Sequence, residues 1–334
     1  MITGTLVAIY IAGASVPVPG LAPEVVTEIE RTSPELAAMG RLSIMALGVM
    51  PLFNALMLVE FCRLLVPGLY RQTTNGPAPL PVMVLTFLFA IFQSYGISIA
   101  LRQYPNLAAE PDSAFVLTAT ATIVGGVALA LALAKAITRY GIGNGFWVLL
   151  VTPVLAQLPF DAAALTELAR TGDIAASALG AAFVVTAVSA MALVALLIHR
   201  RHIGLERIDD IVWPPILATV IMGWFEVLLW LLRESELKGA LIDLTARGHV
   251  IHASVLALLT LAFVTLYALH SERHGSITWS TATLAGIAFA PDLLRTTFGL
   301  PLLIDGRWLI VTVAVLFSFA SLWQRAKPTA PNPA

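Results

Sequence analysis

The run Ala114-Phe-Val-Leu-Thr-Ala-Thr-Ala-Thr-Ile-Val-Gly-Gly-Val-Ala-Leu-Ala-Leu-Ala-Leu-Ala-Lys-Ala136 sets twenty-one uncharged residues ahead of its first charge, Lys135. A helix rising 1.5 Å per residue needs ~20 mostly apolar residues to cross ~30 Å of hydrocarbon. This run meets that length, and working outward from it nine more candidates follow: Gly4–Pro19, Leu42–Val66, Leu80–Leu101, Phe146–Phe160, Ile174–Ile198, Ile211–Leu232, Val250–Leu269, Ile277–Ala290 and Trp308–Trp323. Seven of the ten carry no charge; the exceptions are Glu60 and Arg63 in the second, Lys135 in the fourth and Glu226 in the seventh. The fifth, ninth and tenth are short, so flanking residues extend them or protein rather than lipid surrounds them. Trp147, Trp213, Trp230, Trp279, Trp308 and Trp323 stand at span ends, where interfacial aromatic belts belong, and Trp224 alone lies well inside one.

Composition agrees. Nineteen Lys+Arg and twenty Asp+Glu make only 12% of the 334 residues charged, against ~25% in a soluble domain, and 58% are hydrophobic. The expected fold is an all-α polytopic membrane protein with the lipid bilayer as its solvent. A net charge of −1 excludes the clustered basic surface that nucleic acid requires. The single Cys62 excludes an internal disulfide framework and any multi-cysteine metal site.

Ten spans put both termini on one side. The termini and even-to-odd loops hold ten basic residues, among them Arg139, Arg200, Arg201 and Arg207, against nine on the other side. That margin places both termini in the cytoplasm. The first span lacks the basic flank of a cleaved signal peptide. The Pro/Ala-rich end, 325–334, is expected to be disordered.

No catalytic chemistry is expected. The phosphate-binding Gly-x-x-x-x-Gly-Lys, the nucleophile Gly-x-Ser-x-Gly and the zinc-binding His-Glu-x-x-His patterns are missing. His270 and His274 are four apart and His249 and His252 three apart, but the two pairs fall on opposite sides and read as wetted helix ends. No enzyme, cofactor or metal follows from these residues.

Five stretches carry a resemblance. They are Val16-Pro-Val-Pro-Gly20; Arg41-Leu-Ser-Ile-Met-Ala-Leu-Gly-Val-Met-Pro51; Phe89-Ala-Ile-Phe-Gln-Ser-Tyr-Gly-Ile97; Ile137-Thr-Arg-Tyr-Gly-Ile-Gly-Asn-Gly145; and Ala290-Pro-Asp-Leu-Leu-Arg295 followed by Leu300-Pro301. In this order among ten spans, they resemble the SecY family, the central subunit of the protein-conducting channel, over roughly residues 3 to 324. The resemblance implies two pseudo-symmetric five-helix halves, 1–160 and 161–324, clamped round a pore. Proline near the start of the second and seventh spans (Pro51; Pro214 and Pro215) is an independent pointer to paired, interrupted helices.

Matching motif to motif, the resemblance implies an apolar pore ring of Phe53, Met57, Leu150, Val154, Ile216 and Val311. A hydrophobic constriction resists wetting yet parts for a polypeptide. Phe53 and Met57, four apart, share a helix face. The external segment 22–40 corresponds to the family's plug: Ser33 reads as an N-cap, Pro34 as the first helical residue, and Glu35 and Leu36 follow in the first turn. A working plug and an ordinary acidic surface helix both fit those residues. Gln93 matches a polar position of the family's lateral gate, with Asn54 as its partner, or each amide satisfied by local backbone. Glu226 either faces a wet outer funnel or approaches Arg233, while Glu60 and Arg63 read as a local ion pair.

The family docks a ribosome or the motor SecA on long basic cytoplasmic loops. Here those loops shrink to His199–Asp210 and His270–Ser276, too short for that role, with Arg139, Arg200, Arg201 and Arg207 left as cytoplasmic contacts. Two functions follow. One is a SecY-like channel subunit for secretory or membrane-protein precursors in the cytoplasmic (inner) membrane, with SecE- and SecG-like small subunits as partners. The other is a SecY-derived scaffold or insertion factor that no longer translocates.

Overall fold

The computed structural model describes residues 2–32, 42–66, 80–202, 209–231, 250–270, 283–287 and 303–326. Among the described residues the longer helices are, in chain order, α1 (Ile2–Ala14), α2 (Pro23–Thr32), α3 (Met50–Leu65), α4 (Leu80–Gln103), α5 (Ser113–Tyr140), α6 (Gly145–Thr171), α7 (Ala176–His202), α8 (Asp209–Leu231), α9 (Val250–His270) and α10 (Gly306–Ala326). Among the described residues there is no strand, only two isolated antiparallel bridges. The helices α4 to α7 are long and apolar enough to cross a membrane. Their outer surfaces fit that solvent: Leu88, Phe92, Leu117, Phe160, Val184 and Met191 are all exposed. So much apolar side chain on the outside is what lipid, not water, rewards.

The contacts divide the chain into two units. One comprises Met1–Cys62, Arg71–Gln157 and Leu322–Ala334; the other comprises Arg63–Tyr70 and Leu158–Ser321. In the first unit α5 is the central post, with α4 and α1 packed along it. The α4 face is a ladder of mostly small residues at four-residue intervals, Val82, Thr86, Ala90, Ser94 and Ser98, all buried. Small side chains let two helix backbones approach closely where hydrophobicity cannot drive them together. Ser98 closes the ladder by accepting a hydrogen bond from Thr120 Oγ1 of α5 at 3.1 Å. In the second unit α8 packs against α9. Its buried residues include Ile211, Leu217 and Met222, and those of α9 Leu256, Phe263 and Tyr267. Pro214 and Pro215 sit inside α8, where the Pro215 carbonyl accepts from Thr219 Oγ1 at 2.9 Å. The Asp305 carboxylate caps α10 by accepting from the Trp308 amide at 2.9 Å.

Several expected boundaries move. The first span ends at Ala14, not Pro19, and the second begins at Met50, not Leu42. The cause is pairing: Val18 N–H donates to the Leu42 carbonyl and Ile44 N–H to the Val16 carbonyl, both at 2.9 Å. Residues 42–49 then descend in tight turns, with Gly48 at φ +48°, a conformation that glycine adopts without a Cβ penalty. The external segment carries a helix at Pro23–Thr32; the helix start expected at Ser33 lies outside the described residues. Ala22-Pro23-Glu24 supplied the signal, proline at the first helical position and an acid in the first turn. The α6 helix continues to Thr171, well past Phe160, and α10 runs to Ala326, two residues into the expected tail. Of the ninth span only 283–287 is described, as a short helical stretch.

Candidate functional site

The candidate site begins with the segment that aims α3. The Val16–Gly20 and Arg41–Pro51 motifs, 25 residues apart in sequence, meet at the Pro17–Ser43 bridge. On α5, a Cβ added at Gly126 would run into the Ile44 carbonyl. On α1, the Tyr10 hydroxyl occupies the space that a side chain at Gly48 would need. Residues 42–49 are therefore held from two helices and one extended strip. They lead into α3 through the Phe53 amide, which donates to the Val49 carbonyl at 3.0 Å. Sequence reasoning missed Gly126; its signal was the glycine pair Gly125-Gly126 in the middle of an otherwise bulky apolar run.

The Ile137–Gly145 motif sets the start of α6 in a comparable way. Gly143 has φ +91°. Asn144 Oδ1 caps α6 by accepting from the Phe146 amide at 3.0 Å. The Gly145 amide donates to Thr138 Oγ1 at 2.8 Å, and a Cβ at Gly145 would strike the Ala134 carbonyl. Thr138, Gly143, Asn144 and Gly145 thus each have a local task, and together they fix where α6, which carries Leu150 and Val154, begins. From the other end, Thr3 Oγ1 of α1 accepts from the Ile142 amide at 2.8 Å.

Of the expected ring residues in the first unit, Phe53 and Leu150 are buried, and Met57 and Val154 are half-buried. In the second unit Ile216 and Val311 are both buried. All six side chains are apolar, so they bring no proton donor, nucleophile or metal ligand. Asn54 and Gln93 are each half-buried, and among the described hydrogen bonds none joins the two amides. Ser33, Pro34, Glu35 and Leu36 lie outside the described residues, as does Arg207; Arg200 and Arg201 are in helix α7. Arg139 is exposed at the end of α5, with its guanidinium carbon 5.2 Å from the Tyr140 ring centroid. Glu60 is buried in α3, and both Glu60 and Arg63 have an interaction partner. Among the described residues no group of three His, Cys, Asp or Glu is placed to hold a metal ion.

These features define a helical membrane protein whose expected ring positions are apolar. A family model described as SecY matches residues 43–274, more than half of the chain, and the chain belongs to the SecY family. The protein translocase subunit SecY of Buchnera aphidicola subsp. Acyrthosiphon kondoi is 30% identical over 191 residues, 52% of this chain and 53% of that protein. The same subunit from Escherichia coli strain K12 is 30% identical over 191 residues, covering 52% of this chain and 43% of its own length. The chain spans about half the length of the curated relatives it matches. Among solved structures, one described as a protein conducting channel aligns with all of this chain and 93% of its own at a TM-score of 0.59 and 12% identity. Sec61 in the canine ribosome–channel complex aligns over the same shares at 0.59 and 13%. At such identities the two structures share this chain's fold and carry no further inference.

Proposed function

We propose that the protein is a SecY-like channel subunit that passes or inserts polypeptides across the cytoplasmic (inner) membrane, with both termini in the cytoplasm. The observation that carries this reading is the family match over residues 43–274, which takes in five of the six candidate ring positions. Ten spans would form two halves, 1–160 and 161–324, with Phe53, Met57, Leu150, Val154, Ile216 and Val311 meeting at the waist. An apolar constriction blocks ions because water has no partners there, and it yields to a chain because apolar contacts have no fixed geometry. Asn54 and Gln93 would lie along the seam through which signal sequences leave, where amides add only ~1 kcal/mol each and let the seam part. Ser33 to Leu36 would stopper the pore from outside. Precursors, and small SecE- and SecG-like subunits, are the partners this role requires.

A second reading has its own observation. Only six residues separate α7, ending at His202, from α8, beginning at Asp209. That leaves no room for a motor or ribosome platform there, and suits a scaffold or insertion factor. A photo-crosslinking residue at Ile216 separates the two. A channel captures exported precursors there, and capture stops when the signal sequence is broken. No adduct, while the same probe in a full-length SecY captures clients, would establish the scaffold.

A further inference from the structure

Helix α5 lies wholly within the first unit, with α4 and α1 packed on it. Away from them an exposed line runs Gly125, Ala128, Ala132, Lys135, Arg139, in steps of three, four, three and four, the repeat of one helix face. The depth of the two cations follows from the start of the helix. Asp112 caps it, its Oδ1 accepting from the Phe115 amide at 2.7 Å, and a charged cap belongs in water. Twenty residues from Ala114 cross ~30 Å of hydrocarbon and end at Leu133. Lys135 then stands about 3 Å and Arg139 about 9 Å beyond the hydrocarbon edge, at the level of a headgroup layer ~5–8 Å thick. The neighbouring helices bring no counter-charge. Between Asp112 and Asp161 the sequence holds no acid, and α1 and α4 hold none either. Glu60 of α3 is buried and has an interaction partner of its own. Among the described residues neither Lys135 nor Arg139 enters a salt bridge. The Arg139 guanidinium lies over the Tyr140 ring, 5.2 Å from its centroid, and a ring under its face leaves the N–H donors along its edge available.

We propose that Lys135 and Arg139 seat the phosphate of an anionic phospholipid, with one acyl chain lying along Ala132, Ala128 and Gly125. Side chains four apart on a helix start about 5–6 Å from each other, so one phosphate touches both. The planar guanidinium takes two of its oxygens side by side, and the ammonium adds a point charge. Selectivity follows from charge. A zwitterionic headgroup carries its own ammonium beside the phosphate, whereas an anionic one brings the counter-charge that this end of α5 lacks. The line below the cations is open to an acyl chain: a Cβ added at Gly125 would meet nothing within 4 Å. The seat does not depend on whether polypeptides pass through the molecule.

Native mass spectrometry of the full chain, released from detergent with equal phosphatidylglycerol and phosphatidylcholine, tests the seat directly. Wild-type protein is expected to retain phosphatidylglycerol in preference. Lys135→Gln and Arg139→Gln should each lower that preference about fivefold, and the double variant should remove it. Both side chains are exposed, so the thermal midpoints of these variants should stay where they are. Arg102→Gln takes the same charge from an exposed position at the end of α4 and should leave the preference unchanged. Ala132→Phe fills the line without altering charge and should lower retention of both lipids alike. A preference that survives the double variant, or falls as far with Arg102→Gln, would overturn the seat. Displacement of the lipid by millimolar inorganic phosphate would overturn the lipid as the source of the phosphate. Unchanged retention in Ala132→Phe would remove the acyl chain from the proposal. An acidic membrane peptide that co-purifies with wild type and is lost from the double variant, while the lipid preference stays, would replace the lipid with a partner helix.

Discussion

The unit containing α1 to α5 and the unit containing α8 and α9 are both apolar, and among the described contacts those that stand out in each differ in kind. In the first, segments far apart in sequence meet through directional contacts: Thr3 with Ile142, Val18 with Leu42, Ala22 with Leu107, Ser98 with Thr120. Glycines at 126 and 145 let backbone approach backbone. In the second, α8 and α9 present buried aliphatic and aromatic side chains, and the hydroxyls of Thr219, Thr260 and Thr265 bond to carbonyls four residues back in their own helices. Directional bonds and close backbone approach accept one geometry. Apolar packing in a solvent that is itself apolar accepts several, as long as volume is kept.

The sharpest way to break that comparison is at adjacent glycines. A side chain at Gly126 meets the Ile44 carbonyl, whereas one at Gly125 meets nothing within 4 Å. Gly126→Ala should therefore cost about 3 kcal/mol through forced backbone movement, read as a clear fall in thermal midpoint in detergent. Gly125→Ala should be neutral or gain up to about 1 kcal/mol from helix propensity. Equal effects at the two sites would mean that residues 42–49 are not clamped. Next in size, Thr3→Val strips the acceptor from the Ile142 amide and should cost about 1–2 kcal/mol, with faster hydrogen exchange at Ile142 as the local readout. In the second unit Leu217 is fully buried, but Leu217→Met keeps its volume and should cost less than about 1.5 kcal/mol. A loss at Leu217 as large as that at Gly126 would erase the contrast between the units.

The helices of the membrane were legible because a run of eighteen or more apolar residues fits little else than a bilayer span. Leu80–Leu101 and Ala114–Ala136 grew by only a few residues at their ends. Residues 42–49 were not legible: Leu42, Ile44, Met45, Leu47 and Val49 are as apolar as any helix, and hydropathy cannot register the pairing with Val16 and Val18 that unwinds them. The helix Pro23–Thr32 was marked in the sequence by proline at its first position and Glu24 in its first turn. The extent of α6 was hidden because Asp161 interrupts hydropathy on one face only, while the opposite face stays apolar to Ala164. For the candidate site, individual positions could be named from motifs, since motif spacing fixes register. What holds them in place, Gly126 against Ile44 and Gly145 against Ala134, depends on contacts between distant segments and has no one-dimensional signature.

The bond between Thr3 and Ile142 has a consequence for how the molecule is made. Its two ends are 139 residues apart, so the start of the chain leaves the ribosome long before its partner exists. Before Ile142 is made, α1 can already meet Met45 and Gly48 through Gly13 and Tyr10 and pack along α5, but the amide that anchors its first turn is missing. The first turn of α1 is in this sense latched late, and a nascent chain halted short of residue 142 would lack that anchor.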